Sequence, residues 1–321
     1  MKINQLDLFS GIGGFHLGFE RAGYKVTSFF SEIDKHAIAV YKHQFPNSTY
    51  VGSVTNVRGE DLPRIDLITF GSPCQDFSLA GKRKGMGGDR SSLILEAIRL
   101  IGECRPRVFV WENVKGTFSS NNGEDFTAIL QAFANIGGYR LEWQLLNTSW
   151  FLPQNRERIY LVGYSTTTKR NWRGVFPIRE ANQSNSELER PGKAVTKCLT
   201  ARGQEGHAGM QLVKVKQIGT RLDSGGKQPY QQDRVYDADG EAPALNAGKS
   251  DLIIKNNYRI RRLTPIECER LQGFPDNHTS MGNYDGEIKP MSNTQRYKQC
   301  GNAVTVDVVQ AVAEQCKPLF K

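Results

Sequence analysis

Over its first 165 residues the chain alternates short apolar runs with stretches of helical period. Residues 3–9 read as a strand, 11–14 as a turn and 15–21 as a helix. A strand over 25–31 and a helix over 35–45 follow, then a buried strand over 65–70 that ends in a Gly-Ser-Pro turn. Residues 92–103 have helical period, 108–111 read as a strand, 126–136 as a helix and 159–164 as a last strong strand. Strands that alternate with helices predict an α/β fold: a doubly wound, mostly parallel sheet with helices on both faces. Ligands in such sheets sit at the carboxyl ends of the strands.

The character changes near residue 165. From there to about 258 the sequence is rich in Gly, Gln, Asn, Lys and Arg, and helical periodicity vanishes. Short β-like runs take over at 211–215, 234–236 and 252–254, which predicts a second, smaller, β-rich or irregular domain. Residues 198–213 and 244–254 share Leu-x-Ala, a glycine-bearing turn and an apolar run, an echo that fits two similar hairpins or chance. Order returns after Arg261. Thr264, Pro265 and Glu267 have the form of an N-cap, a first-position proline and an acidic first turn, with Gly273 ending the helix after Gln272. Residues 304–315 form a final helical run, apolar enough to pack on the first sheet. The first domain is therefore expected to be built from both ends of the chain, with the polar stretch between them as the second.

The chain is long enough for one large and one smaller domain. Its net charge of +9 points toward a polyanionic partner. Cysteines stand at 74, 104, 198, 268, 300 and 316; none forms a CxxC pair, and their spacing suits neither a zinc site nor a disulfide framework. No metal is expected. Free thiols imply a reducing compartment. The amino terminus lacks the apolar core of a signal peptide, and no run approaches the ~18 apolar residues of a membrane span. A cytoplasmic protein without membrane contact is the expectation.

Chemistry-bearing residues cluster at the predicted strand ends. In Asp7-Leu8-Phe9-Ser10-Gly11-Ile12-Gly13-Gly14 a strand runs into glycines and a helix follows, a form that lets a ligand approach the backbone. Glu32 ends the second strand, where doubly wound folds place a ribose-binding carboxylate. The same loop also reads as a tight turn without a ligand. Cys74, in GSPCQDFS, follows a buried strand; it is a candidate nucleophile or an inert buried thiol. Glu112, in WENV, is a candidate general acid or a capping residue. Arg156 and Arg158, in QNRER, share a face of an extended run and suit carbonyl or phosphate oxygens, or a solvated edge. Asn302, in QCGNAV, reads as a cap opening the last helix or as a ligand contact.

Together, DLFSGIGGF, GSPCQ, WENV, QNRER, RRLTPIECERLQGFP and CGNAV, in this order, resemble the cytosine-5 DNA methyltransferase family of bacterial or phage type. The resemblance covers about 1–165 and 260–321. It implies a Rossmann-like methyltransferase domain with a target-recognition domain and hinge, and it implies a role for each matching position. Cys74 corresponds to the nucleophile, Glu112 to the acid at the cytosine ring, and Arg158, supported by Arg156, to the group at the pyrimidine carbonyl. Phe9, Gly11 and Gly13 correspond to the S-adenosylmethionine loop and Glu32 to its ribose contact. Val54, Leu93 and Asn302 correspond to further lining of that pocket, and 79–92 to the loop that closes over DNA. Two positions depart from the pattern: Ile33 stands where an aromatic stacks on adenine, and Ser53 where an acid contacts it.

The implied reaction is methyl transfer to carbon 5 of a flipped-out cytosine in a specific duplex sequence, leaving S-adenosylhomocysteine. Basic residues Lys193, Lys197, Arg202, Arg221, Lys227, Arg234 and Lys249 are available for phosphates. Gln204, Gln228, Gln231, Gln232 and Asn246 are available for base edges. The expected partner is double-stranded DNA, the expected state a monomer, and any cognate restriction endonuclease would act without a stable complex. Three other readings compete: cytosine methylation of transfer RNA, a DNA-binding fold that has lost catalysis, and a nicotinamide-dependent dehydrogenase. The polar segment after 165 favours DNA over transfer RNA. Intact Cys74, Glu112 and Arg158 argue against lost catalysis, and the absent six-residue glycine fingerprint against a dehydrogenase.

Overall fold

The computed structural model describes residues 1–72, 93–167, 174–179 and 263–321, and the backbone of five short strands between 217 and 262. Strand β1 (Lys2–Leu8) is buried over most of its length, as a central strand covered on both faces must be. Gly13, with φ +84°, turns the chain into α1 (Gly14–Arg21). Strand β2 (Lys25–Ser31) leads to α2 (Lys35–Gln44), which Asp34 caps by accepting from the His36 and Ala37 amides. Strands β3 (Thr49–Tyr50) and β4 (Leu67–Gly71) precede α3 (Leu93–Cys104), and β5 (Val108–Val114) precedes α4 (Gly116–Ser119) and α5 (Glu124–Asn135). Strands β6 (Tyr139–Asn147), β7 (Gln154–Asn155) and β8 (Glu157–Ser165) close the first half.

The main sheet has the order β3-β2-β1-β4-β5-β8-β6. Neighbours from β3 to β5 pair in parallel, and β8 runs antiparallel to both β5 and β6. The predicted mostly parallel sheet is thus present, with one reversed strand. Alternation along the strands divides the core into two layers. Val108 and Val110 of β5 face one layer with Val162 of β8, while Phe109 and Trp111 face the other with Ile159 and Leu161. The first layer is covered by α1 and the carboxyl-terminal helix, the second by α3 and α5.

Beyond residue 216 the described backbone contains β9 (Gln217–Thr220), β10 (Arg234–Asp237), β11 (Ala242–Pro243), β12 (Ile253–Lys255) and β13 (Ile260–Arg262). Four of these form a second sheet in the order β13-β12-β10-β9, and β11 pairs with β7. The expected runs at 234–236 and 252–254 fall on β10 and β12. The run at 211–215 lies outside the described residues, as do 198–213 and 244–250 of the proposed echo.

Helix α6 (Pro265–Leu271) begins at Thr264 with a full capping box to Glu267, as its sequence predicts. A hairpin of β14 (Met281–Tyr284) and β15 (Glu287–Pro290) leads to α7 (Asn293–Asn302) and α8 (Val306–Cys316). Helix α8 lies on α1, where the Tyr24 hydroxyl donates to the Ala313 carbonyl at 2.9 Å, so the two ends of the chain share one core. The hairpin also seats on the first half. Gly282 packs beside Ala39 of α2, and the Gln44 side chain donates to the His278 carbonyl.

Candidate active site

Strands β1, β2, β4 and β5 all end at one cavity of about 480 Å³, closed on another side by the last turn of α7. Its volume is in the range of small-molecule sites. Phe9, Gly11, Glu32, Ile33, Ser53 and Val54 line one part. Leu93, Glu112, Arg156, Arg158 and Asn302 line the rest. Of the described residues singled out from sequence, Gly13 does not line it: a Cβ at Gly13 would overlap the Phe45 ring, so this glycine serves packing and its left-handed φ. Cys74 and residues 79–92 lie outside the described residues. So do Lys193, Lys197, Arg202, Arg221, Lys227, Lys249 and the glutamines and asparagine offered for base reading. Arg234 is described only as backbone in β10.

At the glycine loop, Phe9 and Gly11 adopt left-handed φ values of 52° and 53°. The Gly11 amide donates to Glu32 Oε2 at 2.9 Å, and Glu32 Oε1 accepts from the Ile33 and Asp34 amides. Glu32 is thereby fixed at the end of β2 with lone pairs still available. Ile33 is 79% exposed at the cavity edge, an apolar surface where the family pattern expects an aromatic one. The Ser53 hydroxyl pairs with Thr55 at 3.0 Å.

On the other side of the cavity, Glu112 and Arg158 form an ion pair, Arg158 Nε to Glu112 Oε1 at 3.2 Å, with both side chains largely buried. Glu112 lies within β5, beside Gly71 of β4 and two residues before the strand ends, which places it inside a strand that runs further than the predicted 108–111. Glu112 stands on β5 and Glu32 directly follows β2, and the two strands are three spacings apart, roughly 14 Å.

Arg156, which also lines the cavity, is placed differently from Arg158. It is 4% exposed, and its guanidinium donates to the Ala303 carbonyl at 2.8 Å and the Gly301 carbonyl at 3.4 Å. Burial lowers its pKa to about 10, Arg158 adds to that effect, and Glu112 and Tyr160 oppose it. The carbonyl oxygens it recognises are the protein's own, so it ties the start of β8 to the turn between α7 and α8. Asn302 also differs from its expected place. It ends α7 rather than opening the last helix, whose N-cap is Thr305.

Several lining residues escaped the sequence reading. Asn113 donates to the Ser72 hydroxyl at 3.3 Å and accepts from the Val114 amide and Thr117 hydroxyl, while Trp111 Nε1 donates to the same Ser72 oxygen. Ser72 is two residues before Cys74 in sequence, so the WENV strand holds the end of the segment that leads to it. Lys298 reaches Asp34 at 2.6 Å. Burial opposes ionisation of Asp34, but the Lys298 ammonium and the His36 and Ala37 amides outweigh it and hold its pKa below the usual value. Gln299 is 6% exposed, and neither atom of its side-chain amide has a hydrogen-bond partner among the described residues. These residues fit a nucleoside that carries an amino-acid tail: a glycine loop, a fixed carboxylate, an apolar edge and an unsatisfied amide along one cavity. Among the described residues no cluster of three or more His, Cys, Asp or Glu could hold a metal ion. None of the described helices is long and apolar enough to cross a membrane.

The chain is similar to known proteins in sequence and fold. A family profile described as C-5 cytosine-specific DNA methylase matches residues 3–318. The chain is 35% identical to the Type II methyltransferase M1.ScrFI of Lactococcus lactis subsp. cremoris, over 98% of this chain and 78% of that protein. It is 34% identical to M.Bsp6I of Bacillus sp. (strain RFL6), over 96% of each, and 31% identical to M.HhaI of Haemophilus parahaemolyticus, over 96% and 92%. In fold it is similar to the crystal structure of S. pombe Dnmt2 methyltransferase, with a TM-score of 0.69 at 20% identity, covering 99% of this chain and 100% of that one. With a profile match across almost its whole length and relatives above 30% identity, the chain belongs to the C-5 cytosine-specific DNA methylase family and is an enzyme of the methyltransferase class.

Proposed function

We propose that the chain takes a methyl group from S-adenosylmethionine and places it on carbon 5 of a cytosine flipped out of a specific duplex sequence, with Cys74 as nucleophile. The observation that carries this reading is the single cavity that joins the Glu112–Arg158 pair to the Gly11–Glu32 loop. The separation of β2 from β5, roughly 14 Å, suits a methyl donor on the loop side and a base on the Glu112 side.

Carbon 5 of cytosine is a weak nucleophile. The Cys74 thiolate forms a bond to carbon 6, and electron density moves to carbon 5. Glu112 hydrogen-bonds ring nitrogen 3, and Arg158 stabilises charge on oxygen 2 while orienting Glu112 through the ion pair. Bound S-adenosylmethionine supplies an electrophilic methyl on a sulfonium sulfur. A base then takes the carbon-5 proton, the carbon–sulfur bond to Cys74 breaks, and the thiolate is restored. The loop from Phe9 to Ile12, with Glu32, holds the donor's nucleoside, and Leu93 and Asn302 complete its walls. Glu112, Arg158 and Cys74 act on the base, and Arg156 keeps the turn after α7 in place.

In this reading residues 1–176 and 295–321 form the catalytic domain, and 177–294 read the target, with 263–294 also seated against α2. The enzyme acts as a monomer in the cytoplasm. Incubation with tritiated S-adenosylmethionine and a pool of duplex DNA, with transfer RNA as the parallel substrate, tests the reading. Label in 5-methylcytosine on duplex DNA is expected; label on transfer RNA alone, or on neither, contradicts it.

A further inference from the structure

The backbone from Phe9 to Gly13 is held in an unusual shape. Phe9, Gly11 and Gly13 have φ values of 52°, 53° and 84°, three left-handed residues in five. The two glycines take such values freely, but the left-handed Phe9 persists only where its surroundings over-determine it. Three of the segment's amides have partners: Ser10 donates to Ser31, Gly13 to Ser10, and Gly11 to Glu32. The carbonyl between the two left-handed glycines, that of Ile12, is engaged from 266 residues away, by His278 Nε2 at 2.9 Å. A carbonyl can only accept, so Nε2 carries the proton. His278 is 4% exposed, and burial lowers its pKa to about 4, so the ring is a neutral donor at physiological pH.

His278 is itself fixed from both sides. Glu269 of α6 is fully buried, and its Oε2 accepts from the Asn277 amide at 2.7 Å. Its Oε1 accepts from the Thr279 amide at 2.9 Å and from the Thr279 hydroxyl. Arg296 of α7 completes the cluster, donating to Glu269 Oε1 at 2.9 Å and to the Thr279 hydroxyl at 3.0 Å. The carboxylate thus grips the residues immediately before and after His278. The Gln44 side chain donates to the His278 carbonyl at 2.7 Å, and the Phe274 ring lies 4.5 Å from the imidazole. Helices α2, α6 and α7 thus converge on the backbone around His278, whose imidazole ends at the loop.

We infer that His278 is a positioning residue for the methyl-donor loop, holding the Ile12 carbonyl so that the loop keeps its left-handed shape, and that Glu269 positions His278; this rests on the reading of the cavity as the donor site. Ile12 lines that cavity between Gly11 and Gly13. Releasing its carbonyl frees the loop to leave the binding shape, and donor affinity falls while the DNA-binding surface is untouched.

The test uses the full chain and S-adenosylhomocysteine, with its affinity read by calorimetry. His278→Ala is expected to weaken binding roughly 10-fold, the scale of one lost buried hydrogen bond. KM for S-adenosylmethionine should rise in step while KM for DNA is unchanged. His278→Gln, which keeps an N–H donor, should recover most of the loss. Glu269→Ala should reproduce the defect, and the double variant should be no worse than either single one, because the two act through one contact. Arg270→Ala, which removes an exposed pair with Asp276, is the control and should leave affinity alone. If His278→Ala does not fold, His278→Phe fills the same space without a donor and gives the same reading. Wild-type affinity in a folded His278→Ala or His278→Phe overturns the inference. Failure of the wild-type chain to bind S-adenosylhomocysteine overturns the reading of the cavity, and the inference with it.

Discussion

Gly71→Ala should slow methyl transfer without unfolding the protein. Gly71 ends β4 in register with Glu112 of β5, and a Cβ added there would lie 3.1 Å from Glu112 Oε2. Ordinary contacts begin near 3.4 Å, so the carboxylate must give way by a few tenths of an ångström. It cannot do so freely, because Oε1 is paired with Arg158 Nε at 3.2 Å. Gly71 is not among the glycines of positive φ, so alanine introduces no backbone strain. A misplacement of about 1 Å in a catalytic group costs on the order of 100-fold. The smaller displacement here, with its change of direction, should lower kcat about 10-fold, near 1.4 kcal/mol of barrier. Steady-state transfer of tritiated methyl to duplex DNA measures it, with thermal melting and S-adenosylhomocysteine binding held as controls. Glu112→Gln in the Gly71→Ala background should add less than it does alone. Wild-type kcat in a fully folded Gly71→Ala would refute the reasoning that the placement of Glu112 matters at the base.

Three further outcomes follow from the same structure. Cys74→Ser should abolish methyl transfer and leave S-adenosylhomocysteine binding measurable; wild-type turnover would remove Cys74 as nucleophile. Gly163→Ala should destabilise the fold by about 1–3 kcal/mol in urea unfolding, because its Cβ would overlap the buried Phe109 ring across β8 and β5; an unchanged midpoint would contradict that packing. Burial of His278 lowers its pKa from 6.5 to about 4, below its unfolded value. Its contribution to stability is therefore complete above pH 6.5 and is lost as pH falls toward 4, about 3 kcal/mol in all. Urea unfolding of wild type and His278→Gln across that window should show a shallower acid loss in the variant, and parallel curves would contradict it.

Much of the fold was legible because its central strands are buried on both faces. Residues such as Leu6, Leu8, Phe70, Phe109 and Trp111 leave apolar runs that admit few other readings. Strand β6 was missed for the opposite reason: it lies at the sheet edge, its residues are mostly half-exposed, and YRLEWQLLN shows neither a clean run nor strict alternation. Helix α7 was missed because its exposed face is polar and its last turn carries Gly301. In the site, Glu112, Arg158, Glu32 and Gly11 were legible because each stands at or near a strand end beside a turn. Arg156 was legible as a residue but not in its direction, since only the folded chain brings the Gly301 and Ala303 carbonyls to it. Lys298 and His278 gave no local signal, and Asn113 and Glu269, though inside quoted motifs, gave none of their partners. Their partners are 264 positions away for Lys298, 41 for the Asn113–Ser72 contact, and 266 for His278.

The covalent role of Cys74 is tested most directly by incubating the protein and S-adenosylmethionine with duplex DNA of varied sequence containing 5-fluorocytosine. Fluorine cannot leave carbon 5 as a proton does, so the adduct accumulates. The account predicts a complex that survives denaturation, maps by peptide analysis to Cys74, and yields one recurring sequence when the trapped DNA is read. No adduct in conditions where a control enzyme forms one, or an adduct at another residue, would contradict it.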